Sequence, residues 1–277
     1  MSVNNKEEKI MAFNPNELVL ERVRSVEEYD PATGELTGRY TQIEDPSLTT
    51  SADGTDVVDA LGTPIATFYR NIQGTFSFSN SLFSLDLAAS QFGTKKEVAS
   101  ADNKIKVPVS ETIEIAANNT IALKYVPVGT AGSEIKYVKV INADNTFGET
   151  YTVSTTANKE AKTFTIDAEG KKITMPAGVT GKVFVNYIRE TENAAALAKK
   201  SDTTTEVKKL LVHVIFCDPC NINLKRAGVI VMERAQIDPS SVDVSLTMEG
   251  KHAASYLLKR EYCDEAGKLF EIIVAEE

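Results

Sequence analysis

The sequence predicts an all-β protein with one short helix, organised as a discontinuous β domain into which a second β domain is inserted. Short runs in which every second residue is apolar, separated by turn residues, fill most of the 277-residue chain, and a period of two is the pattern of a half-buried strand. One stretch alone has a helical period. Charge is unevenly spread: residues 109–202 hold 11 acidic and 11 basic side chains, whereas the rest holds 28 acidic against 19 basic and so carries the whole formal net charge of −9. A composition of 42% hydrophobic and 25% charged residues is that of a globular chain, not a disordered one.

In the outer domain the clearest strand is Val242, Asp243, Val244, Ser245, Leu246, Thr247 and Met248, whose alternation gives one face to a core and the other to water or a neighbour. Residues 75–79, Thr-Phe-Ser-Phe-Ser, repeat the pattern with two aromatics. Further strands are predicted over 18–29, 36–43, 63–69, 207–216, 227–233, 255–262 and 269–274. Asp30-Pro31-Ala32-Thr33-Gly34 closes a turn between the first two of these, because proline fixes φ and glycine accepts a positive φ. The helix is predicted where Leu82, Leu85, Ala89 and Phe92 recur at helical spacing. Asn80 or Ser81 would cap it, Asp86 sits in its early half, and Gly93 follows its end. Such a helix would lie across one face of a sheet.

Residues 109–190 read as self-contained. Seven short strands are predicted over 112–115, 121–126, 135–141, 150–154, 163–166, 172–175 and 182–188, with Asn118-Asn119, Asp144-Asn145 and Glu169-Gly170 among the turns between them. That count and length predict an immunoglobulin-like sandwich in architecture. The cysteine pair and tryptophan of an antibody domain are missing, since the chain has no Trp and no Cys falls in the segment. Residues 194–198 offer a helical turn, and the polar stretch 201–206 leads back to the outer domain. The predicted domains are therefore 12–108 with 203–277, and 109–202.

Few residues could carry chemistry. His213 and His252 have no acidic or cysteine partner at a ligand spacing, and His213 falls in an apolar strand, where a packed core role is expected. Cys217-x-x-Cys220 has the spacing of a redox motif or half a zinc site, with Cys263 as a third thiol. The intervening Asp218 and Pro219 read more simply as a turn between strands with buried thiols. An odd total of three cysteines suits a reducing compartment. The acids Asp53, Asp56 and Asp59 do not fall at calcium-loop positions, and no phosphate-binding glycine loop follows a strand. No enzyme activity, cofactor or metal is expected. A net charge of −9 argues against a protein that grips nucleic acid by neutralising phosphates. No run approaches the roughly 20 apolar residues that span a bilayer, and the charged start MSVNNKEEKI lacks a signal-peptide core. A soluble protein made in the cytoplasm is expected, with Met11 as an alternative start.

Several segments carry a resemblance. Asp45-Pro46-Ser47-Leu48, Asp56-Val57-Val58-Asp59, Thr67-Phe68-Tyr69-Arg70-Asn71 and, above all, the run from Ser79 through Phe83 and Leu87 to Gly93 resemble structural proteins of long-tailed bacteriophages. The later part, from Phe216 and the two cysteines to Tyr262-Cys263-Asp264 and residues 269–274, is similar in the same way. So, within the insert, are Thr120-Ile121-Ala122-Leu123 and Val183-Phe184-Val185-Asn186-Tyr187.

The resemblance implies a virion protein, made in the host bacterial cytoplasm, and most of all a subunit of the tail tube. Such subunits combine a β-sandwich or barrel, one flanking helix and a long loop that reaches a neighbour. The expected partners are copies of the chain in a ring or tube and other virion proteins, with DNA passing unbound and no membrane contact. Residues 43–63 are the expected inter-subunit loop, with Ile43, Asp45, Pro46, Leu48, Asp53, Asp56 and Asp59 as its candidate contact residues. The strand from Val242 to Met248 is the expected inter-subunit strand. A capsid decoration protein is the alternative, and a carbohydrate-binding module a third reading, for which Tyr125, Tyr137, Tyr151 and Tyr187 would have to supply the aromatic platform.

Overall fold

The alternation that fills the sequence becomes seventeen strands and one helix in the computed structural model, which describes residues 15–240, 242, 244, 247, 251–262 and 267–275. In chain order these are β1 (Val19–Tyr29), β2 (Leu36–Tyr40), β3 (Ile43–Val58), β4 (Pro64–Asn80), α1 (Leu85–Phe92), β5 (Glu97–Val98), β6 (Ile105–Glu114), β7 (Thr120–Ala122), β8 (Tyr137–Ile141), β9 (Phe147–Val153), β10 (Thr163–Asp167), β11 (Lys172–Thr174), β12 (Lys182–Thr191), β13 (Ala195–Ala196), β14 (Val207–Cys217), β15 (Lys225–Ile237), β16 (His252–Leu258) and β17 (Glu271–Ala275). They form two units, one running through Lys96 and resuming at Leu197, the other Glu97–Ala196. Both boundaries precede the expected 109 and 202, because β6 already begins at Ile105 and β5 pairs with β13. That pairing also makes Ala195 and Ala196 a strand where a helical turn was expected.

In the first unit the strands follow the order β2-β1-β14-β15-β16-β4-β3, every neighbour antiparallel. The long β15 serves two partners on one edge, pairing β17 along Ala227 to Val231 and β16 along Ala235 to Ile237. Two register shifts in β1 mark bulges, which bend a strand and increase its twist. The sheet curls until Cα atoms of β3 and β1 lie within 8 Å, giving a nearly closed, barrel-like form. Alternate residues point inward: Leu210, Val212 and Val214 from β14, Phe76 and Phe78 from β4, and Ala254, Tyr256 and Leu258 from β16 meet in one core. Phe78 stacks on Tyr256 with ring centroids 6.1 Å apart.

Several expected elements shift. The strands expected at 63–69 and 75–79 are one strand, β4, which begins at Pro64, and 36–43 divides between β2 and β3. Helix α1 is capped by Ser84, whose side chain accepts from Leu87 N at 3.3 Å. Asn80 is not the cap because it is still paired within the sheet, to His252 on one side and Ile43 on the other. Of the strand expected at 242–248 only Val242, Val244 and Thr247 are described, and these lie outside any strand, Val242 packing on the core. Asp243, Ser245, Leu246 and Met248 lie outside the described residues.

The second unit is one seven-stranded sheet in the order β6-β12-β8-β9-β10-β11-β7, with β9 and β10 parallel. Cα atoms of β6 and β7, the two ends of that path, lie within 8 Å, so this sheet also folds over its own core. Its number of strands is that of an immunoglobulin sandwich, but its order is not. There the third strand joins the sixth and seventh in one sheet and the other four form the second. Here the first strand pairs with the last over ten residues, a consequence of the chain entering and leaving the insert side by side.

Helix α1 ends at Gly93, which has φ 65° and donates its N–H to the carbonyls of Ala89 and Ser90. A Cβ there would sit 1.9 Å from the Thr204 carbonyl oxygen. Gly93→Ala should therefore lower stability by more than about 1 kcal/mol, read as a shift in the urea midpoint. Residues 97–196, having a core of their own, should unfold in one cooperative thermal transition when expressed alone. A broad, protease-sensitive product would contradict this.

Candidate interaction surface

Residues 43–63, expected as a loop, are instead strand β3 and a turn, hydrogen-bonded to β4 from Ile43–Asn80 at the root to Val58–Pro64 at the tip. Only the root meets the core. Ile43 and Leu48 pack against it, whereas both strands are exposed or nearly so from Thr49 to Gln73. Beyond Gly74, β4 loses its second neighbour, β16, and the two strands continue as a free arm. At about 3.3 Å per residue, the ten residues from Thr49 to Val58 carry the tip on the order of 30 Å from the root.

The arm is built for definite geometry. Asp59 Oδ1 accepts from Leu61 N at 2.8 Å and Thr63 N at 2.9 Å, closing the tip. Asn71 donates to Asp53 and Thr67 to Asp56 across the ladder. Asp45, with φ 49°, and Pro46 occupy a register shift at the root, where Asp45 pairs with Lys251 at 3.3 Å. The arm exposes large apolar side chains on both faces. Residues directly opposite share a face, so Val57 and Phe68 lie on one, Ile65 and Tyr69 on the other. Ile65 and Tyr69 are each 70% exposed and Leu61 is 91% exposed. A two-stranded ribbon is marginal by itself in water, and burying each such side chain is worth about 1.5–3 kcal/mol. The expected contacts Asp53, Asp56 and Asp59 sit on this arm, but its apolar residues on β4 were missed. The Thr67-Phe68-Tyr69 triplet was their available signal.

Inside the same unit lies a buried polar cluster. Glu28 is fully buried, accepts from Ser90 Oγ at 2.6 Å and from the Tyr256 hydroxyl, and has Tyr40 beside it. Gly38 makes this possible, since a Cβ there would stand 2.4 Å from the Tyr40 hydroxyl. Burial raises the Glu28 pKa above 4.5, outweighing its hydrogen bonds. His252 is also buried, stacked on Phe83, with Nε2 2.8 Å from Gln91 Oε1 and Nδ1 accepting from Ser84 N at 3.3 Å. That pair of contacts fits the neutral ring, and burial lowers its pKa below 6.5. Both groups therefore fasten α1 to the sheet, one through Ser90 and the other through the cap.

The remaining candidates are placed as follows. His213 is not a core residue but lies half-buried on the opposite face of β14, 3.2 Å from Glu27. Cys217 is buried with Sγ 3.3 Å from Glu21 and 3.4 Å from Lys225 Nζ, while Cys220 is exposed in a turn organised by Asp218. Cys263 lies outside the described residues. Among those residues no group of three or more His, Cys, Asp or Glu side chains converges, and no helix is long and apolar enough to cross a membrane. Of the four tyrosines in the insert, Tyr151 and Tyr187 are buried and Tyr125 is covered by Arg189 at 3.9 Å, leaving Tyr137 exposed. That dispersal gives no aromatic platform for a sugar.

No protein-family model matches the chain, and no curated protein is significantly similar to it.

The two buried groups act on stability with opposite signs. A raised Glu28 pKa means the folded state keeps a proton the unfolded chain has lost, so this contribution falls as pH rises above 4.5 until Glu28 itself ionises. A lowered His252 pKa means the unfolded chain takes up a proton first, so that contribution falls as pH drops below 6.5. Urea melts across pH should show that Glu28→Gln removes the alkaline-side loss and His252→Gln the acid-side loss, each relative to wild type. Parallel curves for variant and wild type would contradict the assignment.

Proposed function

We propose that the chain is a structural subunit of a bacteriophage virion that polymerises through its arm, most specifically a tail-tube subunit. One observation carries the reading: a ribbon on the order of 30 Å long, ordered by its own ladder, with large apolar side chains exposed on both faces. A surface of that kind needs cover. A subunit that offers its arm to a neighbour and receives another's makes a heterologous contact, which closes into a ring when the rotation permits. The barrel-like sheet, the flanking helix α1 and the resemblance noted in the sequence support the tube in particular. The acidity of the first unit suits a channel past which DNA slides without being held. The inserted unit, with balanced charge and its own core, stands as an appendage dispensable for polymerisation.

Negative-stain microscopy of the purified protein should reveal rings or tubes. Excising Asp53 to Arg70, which are paired, and joining the strands by a two-residue turn should leave a folded monomer that forms neither. Normal polymers from the excised variant would overturn the reading, as would wild-type protein that stays monomeric and binds capsids instead.

A further inference from the structure

Granting the arm-mediated assembly proposed above, we infer that the arm's receptor is the depression around Arg22 and Arg24 at the root of the next copy's arm. This depression, of about 380 Å³, is lined by Arg22 and Arg24 of β1, by Gln42 and Glu44 where β3 begins, and by Ser81. Neither guanidinium forms a hydrogen bond or ion pair among the described residues. Glu21, next in sequence to Arg22, and Glu44 of the lining are already engaged, with Lys225 and Lys251 respectively. In a chain of net charge −9, two guanidiniums in one hollow with no bonded partner, Arg22 acting on Glu21 only at a distance, stand out. The residues following Ser81, Leu82 and Phe83, are 61% and 60% exposed.

The arm is complementary to this surface in both respects. Between Thr49 and Gln73 it has three acids, Asp53, Asp56 and Asp59, against a single base, Arg70. Arg70 stands opposite Asp53, so Asp56 and Asp59 near the tip are left uncompensated. Each is held through one carboxylate oxygen, leaving the other for a guanidinium. Leu61 and Ile65 beside them offer apolar surface to Leu82 and Phe83. A chain cannot fill its own depression, because the ladder, through its register shifts, stays antiparallel from the root pair to the tip pair and holds the tip away. The occupant is therefore the tip of a second copy, and tip-to-root contact repeated from copy to copy builds a head-to-tail assembly.

A charge-swap experiment tests this. One variant reverses the receptor, Arg22→Glu with Arg24→Glu; the other reverses the tip, Asp56→Lys with Asp59→Asn, which keeps an acceptor for the tip turn. Each alone, folded by circular dichroism, should lose at least ten-fold of its sedimentable polymer. Mixed in equal amounts they should regain it, since lysine tips meet glutamate receptors and aspartate tips meet arginine receptors in alternation. A receptor variant that polymerises like wild type, while arm excision abolishes polymer, overturns the receptor and leaves arm-mediated assembly standing. As a second measurement, a photo-crosslinker at Leu61 in the otherwise wild-type chain should label residues 22–24 or 41–44 of another copy. Labelling confined to other segments would overturn the assignment even where the receptor variant failed to fold.

Discussion

Strand β4 runs for 17 residues, but only the part from Gly74 to Asn80 has β16 as a second neighbour. Within that part Phe76 and Phe78 point into the barrel and anchor the aromatic core with Tyr40 and Tyr256. Before it, the strand has β3 alone. The same covalent element is thus core at one end and solvent-exposed ribbon at the other, and the ladder makes the second rigid because the first is buried. The placement of α1 follows too, since β4 ends at Asn80 and the chain has only Ser81 to Phe83 in which to turn before the cap at Ser84.

What was legible in the sequence was whatever faced a core of its own. Most strands of the insert fall close to their expected places, because they alternate and are bounded by turn residues such as Asn119 and Asn145, both at positive φ, although β6 begins well before the expected 112. In β14 Leu210, Val212 and Val214 alternate cleanly into the core. The arm was not legible as a strand pair. Ser51 to Asp56 are polar or small on both faces, and a period of two has no meaning where neither face is buried. Val242 and Val244 differ in the opposite sense. They alternate regularly in the sequence, yet a strand also needs a partner edge, and these two have none among the described strands.

The polar interior was beyond sequence reading for a different reason. Glu28 lies in Ser25-Val26-Glu27-Glu28-Tyr29, where two successive glutamates look alike. One faces outward to His213 and Arg39, while its neighbour is sealed against Ser90 and Tyr256. Partners 62 and 228 residues away decide which is which. Gly38 and Gln91 have roles only in that setting, one leaving room for Tyr40 and the other bridging His252 to the Ala253 carbonyl.

The acids of the arm have one more consequence. A long ribbon with apolar faces and unpaired edges is a template for its own kind, and the commonest mistake open to it is to stack on another arm in solution. Asp53 and Asp56 lie on β3 and Asp59 just past its end, so two arms laid together would bring like charges near one another. In the assembly proposed above, mutual repulsion would keep subunits off one another's arms, and the carboxylates would serve as gatekeepers, delaying self-association until a surface of opposite sign is presented.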